Sequence, residues 1–168
     1  PSRFMLVCAM NPCRCGWYGD PSGRCTCTQK AVDAYRSRIS GPLLDRIDLH
    51  IEVPAVQYDD LAHRTPAEPS SAIRARVEAA RGIQRARFAG TGVTCNAYIP
   101  PAQMGEVCRM DAEAADFMRR SFARLGLSAR SHDRILRVAR TVADLDGAAV
   151  IARRHLAEAV QYRALDRQ

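Results

Sequence analysis

Four cysteines, Cys13, Cys15, Cys25 and Cys27, form two Cys-x-Cys pairs separated by nine residues. Such a set can offer four thiolates to a tetrahedral Zn²⁺. Gly16, Gly19, Pro21 and Gly23 between the pairs let the loop fold back on itself. No fifth donor stands nearby, so the site would be closed and structural. The spacing differs from the commoner Cys-x₂-Cys, and reduced thiols, a redox pair or an Fe–S cluster remain open readings. Just before this loop, Asn11 follows an apolar run. An amide beyond the carboxyl end of a buried strand can hold a γ-phosphate or orient a hydrolytic water. Alternatively, Asn11-Pro12 only makes the turn.

Two arginine settings carry further chemistry. Arg46 lies within Leu43-Leu44-Asp45-Arg46-Ile47-Asp48. Leu43, Leu44 and Ile47 are anchors at helical spacing, which leaves Arg46 on the other face, held between Asp45 and Asp48. A rigidly mounted arginine stabilises charge on a transferred phosphoryl group, an effect worth roughly 10³–10⁵ in rate in GTPases. The plainer reading is a surface arginine in a charge cluster. Arg130, Arg134 and Arg137 share a helical face at i, i+4, i+7 spacing. Cations in a first turn oppose the helix dipole, and a docked phosphate would offset that cost. A solvated basic face is the alternative.

These residues need elements to position them. Phe4 to Ala9 is continuously apolar and suits a strand buried on both faces. Leu49 to Val53 alternates and reads as a second strand, ended by Pro54. Residues 12–28 read as a turn-rich loop, and 29–38 as a short helix capped by Thr28. Three prolines, two serines and several acids mark a boundary between 54 and 71.

Beyond it the pattern is helical. Ser71 caps a helix ending before Gly90, and Pro101 opens a short one reaching Cys108. Asp111 caps a helix with Ala115, Met118, Phe122 and Leu125 inward and Gly126 as its stop. Ser128 starts a helix carrying Ile135, Val138, Ala139 and Val142 inward, and the last runs from about 152 to 164 over Leu156 and Val160. Cys8, Phe88, Tyr98, Phe117 and Phe122 read as core, and His50 as solvent-facing. The expected fold is an α/β remnant, with strands near 4–10 and 48–53, beside an all-α bundle; it is predominantly α. Its expected parts are 1–54, with a Cys-rich insertion at 12–28, a linker at 55–70 and a helical domain at 71–168.

The 168 residues carry a net charge of +7 and are 47% hydrophobic. This suits a globular chain and points away from collagen and wholesale disorder, and no apolar run approaches the length needed to cross a bilayer. Lys30 is the only lysine among 25 basic residues. GC-rich coding explains such a bias; contact with phosphates, onto which arginine forks in two-point fashion, explains it too. The sign favours a polyanionic partner. Seven cysteines, an odd number, without a secretory signal argue against a disulfide framework. A chain opening at Pro1 in mid-core reads as part of a longer protein.

Taken in order, these motifs resemble the C-terminal portion of magnesium-chelatase-like AAA+ ATPases of the bacterial ComM/YifB competence group. The likeness runs through Ala9-Met10-Asn11-Pro12-Cys13, Cys15-Gly16 and Cys25-Thr26-Cys27. It continues through Tyr35-Arg36-Ser37-Arg38-Ile39-Ser40-Gly41-Pro42-Leu43-Leu44-Asp45-Arg46-Ile47-Asp48. It resumes at Leu127-Ser128-Ala129-Arg130-Ser131 and at Arg134 to Thr141, and ends with His155 to Ala159 and Tyr162-Arg163.

The resemblance implies that Asn11 is sensor 1 and that Arg46 is an arginine finger acting on a neighbouring subunit's ATP. It implies that Arg130 is the sensor 2 arginine of a helical lid, with Arg134 as the alternative, and that Arg38 lies at the subunit boundary. It further implies a cytoplasmic homo-hexamer that uses ATP and Mg²⁺ to drive branch migration of DNA in recombination and natural transformation. The family's Walker A loop and Walker B acids lie upstream of these motifs, so this chain should not hydrolyse ATP alone. Two other functions fit the residues: a stand-alone zinc-containing nucleic-acid-binding module and a magnesium-chelatase-type subunit.

Overall fold

The computed structural model describes residues 4–54, 56 and 67–163. Helices dominate. α1 (Gln29–Arg36) starts where the Thr28 hydroxyl accepts from the Ala31 amide at 3.3 Å. α2 (Gly41–Leu44) is a single turn opened by Pro42. α3 (Ser70–Arg87), α4 (Met104–Val107), α5 (Ala112–Leu125), α6 (Ala129–Leu145) and α7 (Arg153–Gln161) make the bundle. Two 3₁₀ turns, Asn96–Tyr98 and Pro101–Gln103, precede α4.

α6 is the central element, packed against α3 and α7, while α5 packs on α7. Its Ser128 cap accepts from the Ser131 amide at 3.1 Å. Ile135, Leu136 and Ala139 face Phe88, Ile99, Met118 and Leu156 in one apolar core. Asp111 caps α5, accepting from Ala114 at 2.7 Å, and Gly126 ends it with a left-handed φ of 58° that a Cβ would strain.

The predominance of helix stands, with four adjustments. α3 begins two residues early, because extended Pro69 is the cap and both serines lie inside the helix. The expected helix from Pro101 to Cys108 divides into a 3₁₀ turn and α4. On α5 the buried stripe is Ala114, Met118 and Ser121, one residue out of phase with the expected Ala115–Met118–Phe122 face. Small Ala114 and Ser121 can sit beneath a neighbouring helix, and Phe122 swings to the rim, where its ring meets His132 edge-on at 6.1 Å. Tyr98 is likewise half exposed.

The two expected strands form no ladder among the described residues. Residues 4–10 carry no regular secondary structure, with Met5 87% and Val7 80% exposed, and Cys8 is exposed as well. A strand needs a neighbour for its amides and carbonyls, and no described segment lies alongside. Residues 49–54 are likewise irregular, but His50 turns inward: it is buried, and its amide donates to the Tyr162 carbonyl at 2.7 Å. The expected linker lies largely outside the described residues. Among the described residues one bridge, Met110 to Ile151, ties the connection between α4 and α5 to the segment before α7.

The bundle also holds a buried ionic knot. Asp144 and Arg140 are almost wholly enclosed. Asp144 accepts from Arg87 at 2.8 Å, Asn96 at 2.8 Å and Arg140 at 3.1 Å. Arg140 spends its remaining donors on the carbonyls of Ala148 and Ala149. Burial works to raise the Asp144 carboxyl, but the bonds from Arg87 and Asn96 and the Arg140 charge outweigh it and hold it below its ordinary range.

Candidate functional site

The four clustered cysteines converge. Cys13 Sγ lies 3.3 Å from Cys15 Sγ and 3.9 Å from Cys25 Sγ, and Cys15 and Cys25 are 3.7 Å apart. With Cys27, all four sulfurs fall within 4.8 Å of one another. Four sulfurs each about 2.3 Å from a tetrahedral Zn²⁺ stand about 3.8 Å apart, so the donor set fits that ion in type, number and spacing.

Local sequence explains the convergence. The Gly16 amide closes a turn onto the Cys13 carbonyl at 3.1 Å, with φ at +86°. A second turn forms at Trp17–Asp20, and the Asp20 carboxylate accepts from the Ser22 amide at 2.8 Å. Cys27 directly precedes the Thr28 cap, so α1 leads the last thiol out of the loop. The Arg24 guanidinium lies 4.7 Å over the Trp17 ring, and Arg36, 5.0 Å over Tyr18, donates to the Pro12 carbonyl at 3.3 Å.

Burial raises the Cys13 thiol, but hydrogen bonds from Cys15 and from the backbone of Tyr18, Cys15 and Gly16 outweigh it and bring it to about 6. At Cys25 the Cys27 amide acts downward, yet burial and the neighbouring sulfurs push it up to about 11. Crowding makes each further thiolate costlier, a cost that a divalent cation removes.

The second cluster surrounds Arg46, which is exposed and donates through Nη1 to the Pro42 carbonyl at 2.8 Å. It is not held between Asp45 and Asp48. Those carboxylates are engaged from the bundle instead. Asp45 accepts from Ser131 Oγ at 3.2 Å and Arg163 Nη2 at 3.3 Å, with Arg130 Nη1 at 3.7 Å. Asp48 accepts from Arg134 Nη1 at 2.5 Å, and the same nitrogen reaches the Arg46 carbonyl at 2.7 Å. At the start of α6 the chain's own Asp45 stands next to Ser131 and Arg130, and its carboxylate offsets part of the cost of arginines in a first turn. Arg137 turns elsewhere and donates to the Ile99 carbonyl at 3.0 Å.

Arg46, Arg130 and Arg134 thus share one cluster. Asn11 is exposed beside Gly16, and Arg38 is exposed after α1; neither side chain bonds to that cluster among the described residues. Arg163 is the member that spacing did not reveal. It lies 118 residues from Asp45, beyond any helical period.

Comparison with known proteins adds a family. A family model described as magnesium chelatase, subunit ChlI C-terminal, matches residues 67–163, and one described as magnesium chelatase, subunit ChlI, matches 1–61. An uncharacterized protein YifB of Escherichia coli is 41% identical over 99% of this chain and 32% of its own length. A competence protein ComM of Haemophilus influenzae is also 41% identical over the same shares. An uncharacterized protein of Mycobacterium bovis is 35% identical over 88% of the chain and 29% of its own. The chain therefore spans about a third of the length of these relatives.

Proposed function

The chain belongs to the magnesium-chelatase-like family of YifB and ComM, and from that premise we propose that it forms the sensor, arginine-finger and lid portion of a hexameric AAA+ ATPase motor acting on DNA. The observation that carries the reading is Arg46. Its exposed guanidinium bonds the Pro42 carbonyl of its own turn while the flanking carboxylates are engaged by the bundle, so exchange of that exposed bond would let it reach another subunit. ATP with Mg²⁺, held mainly by segments upstream of this chain, supplies the phosphoryl group. Arg46 stabilises the charge that develops on that group in the neighbouring subunit. Asn11 orients the γ-phosphate or the attacking water, Arg130 reads the chain's own nucleotide from the lid, Arg134 is the second candidate for that task, and Arg38 lies at the subunit boundary.

Cys13, Cys15, Cys25 and Cys27 would hold a structural Zn²⁺, which fastens a loop that has almost no core. DNA is the partner suggested by the ComM name of one relative and by the net charge of +7. The reading places the work in the bacterial cytoplasm; among the described residues no helix is long and apolar enough to cross a membrane.

The test is Arg46→Ala in the full-length protein. ATP binding should persist while hydrolysis falls about 10³-fold or more. Hydrolysis at the wild-type rate overturns the finger. A second reading, a stand-alone nucleic-acid-binding module, draws on the thiol cluster and basic charge. It requires that this 168-residue chain alone bind DNA with steep salt dependence, and absence of binding at low salt removes it. The magnesium-chelatase-type subunit rests on the family description alone.

A further inference from the structure

We infer that Arg134 and Arg163 are positioning residues that mount the Arg46 turn on the lid of its own subunit, so that lid position sets the reach of the finger. The inference rests on the arginine-finger reading above. α2 is one turn long and buries none of its residues fully, so its own packing gives the segment that follows little support. The bundle fixes it instead. Arg134 bonds both the Arg46 carbonyl, at 2.7 Å, and the Asp48 carboxylate, at 2.5 Å. Arg163, only 2% exposed, bonds the Ile47 carbonyl at 2.6 Å and the Asp45 carboxylate at 3.3 Å. Ser131 adds a bond to Asp45, and the Tyr162 carbonyl takes the His50 amide at 2.7 Å.

Residues 45 to 48 and 50 are thereby held by side chains or backbone from the start of α6 and the end of α7. Charge-assisted bonds to consecutive carbonyls fix a backbone more rigidly than packing of one exposed turn can. A catalytic cation misplaced by about 1 Å loses much of its effect. Arg130 and Ser131 lie in the first turn of α6, and both meet Asp45. Displacement of this helix start therefore moves the carboxylate next to Arg46, which couples the state of one subunit's lid to hydrolysis in the next.

The experiment uses full-length protein with Arg163→Met, Arg163→Lys, Arg46→Ala and the pair Arg46→Ala/Arg163→Met. For Arg163→Met, kcat should fall about 10- to 100-fold while KM and ATP affinity stay within about twofold. Arg163→Lys should recover part of kcat. The double variant should be no slower than Arg46→Ala, because Arg163 acts only through Arg46. Multiplicative losses, unchanged kcat in Arg163→Met, or a matching loss of ATP binding overturns the clamp. Wild-type hydrolysis by Arg46→Ala overturns the finger reading itself, whatever Arg163 does. If Arg163→Met does not fold, Asp48→Asn loosens the same clamp from its exposed side. The same fall in kcat at constant KM is then expected, and unchanged kcat overturns the clamp.

Discussion

The bundle and the segment before it are stabilised by different means. Between 88 and 160, apolar side chains from α5, α6 and α7 meet in one core, with the Asp144 knot at one end. Between 4 and 54, the buried apolar residues are Cys13 and Val32. The bundle thus draws its order from removal of apolar surface from water. The earlier segment must draw order from thiols that can share a metal and from arginines reaching out of the bundle. A stretch with Met5 and Val7 exposed depends on whatever lies beside it, whereas the bundle depends on itself.

Removal of metal should separate the two regions most sharply. Structural zinc sites bind with roughly 10–16 kcal/mol, and the loop at 12–28 has little else to hold it. Purified without chelator, the chain should carry one zinc per molecule. Chelation should speed amide exchange across 12–28 and leave the thermal transition of the bundle in place. A metal content near zero breaks the contrast at once.

Next in size is Asp144→Ala, which leaves the Arg87 and Arg140 guanidinium groups without their carboxylate. Loss of one partner from a buried pair costs about 3–5 kcal/mol, measurable in urea unfolding. A loss under about 1 kcal/mol would show that the knot is ornamental and that apolar packing alone holds the bundle.

Acid acts through the same group. The Asp144 carboxyl is held below its ordinary 3.8, so the folded state favours the charged form. Its contribution is complete above that ordinary value and disappears as the pH falls through the depressed one. Melting temperature should therefore drop in the wild type below about pH 4, and less steeply in Asp144→Asn; identical slopes would assign acid sensitivity to the other region.

The smallest effect is Asp111→Ala, which removes the bond capping α5. It should cost about 0.5–2 kcal/mol by denaturation without any change in metal content.

Much of this was legible in order along the chain. Thr28, Asp111 and Ser128 cap the helices that follow them, and Gly126 ends α5, because a cap is satisfied within three residues of itself. The phase of α5 was not legible, since Phe122 and Ser121 both fit a 3.6-residue period and only the neighbouring helix selects the smaller one. The inward turn of His50 escaped for a similar reason, because its amide partner, Tyr162, lies 112 residues away. The strands near 4–10 and 48–53 were read from apolarity and alternation, which describe a face seeking cover but do not supply the ladder.

By itself the sequence determined the grouping of the thiols, the helix starts capped by Thr28, Asp111 and Ser128, and the family, because each rests on residue types at short spacing. Only the tertiary structure decided which acid each arginine takes. An exposed guanidinium accepts any carboxylate or carbonyl within reach, and for Arg46 the adjacent Asp45 and Asp48 looked sufficient. Folding gave those acids to Ser131, Arg134 and Arg163 instead. Burial of Arg163 at the end of α7 makes an unpaired charge costly, and that cost is set by the surroundings a residue acquires on folding.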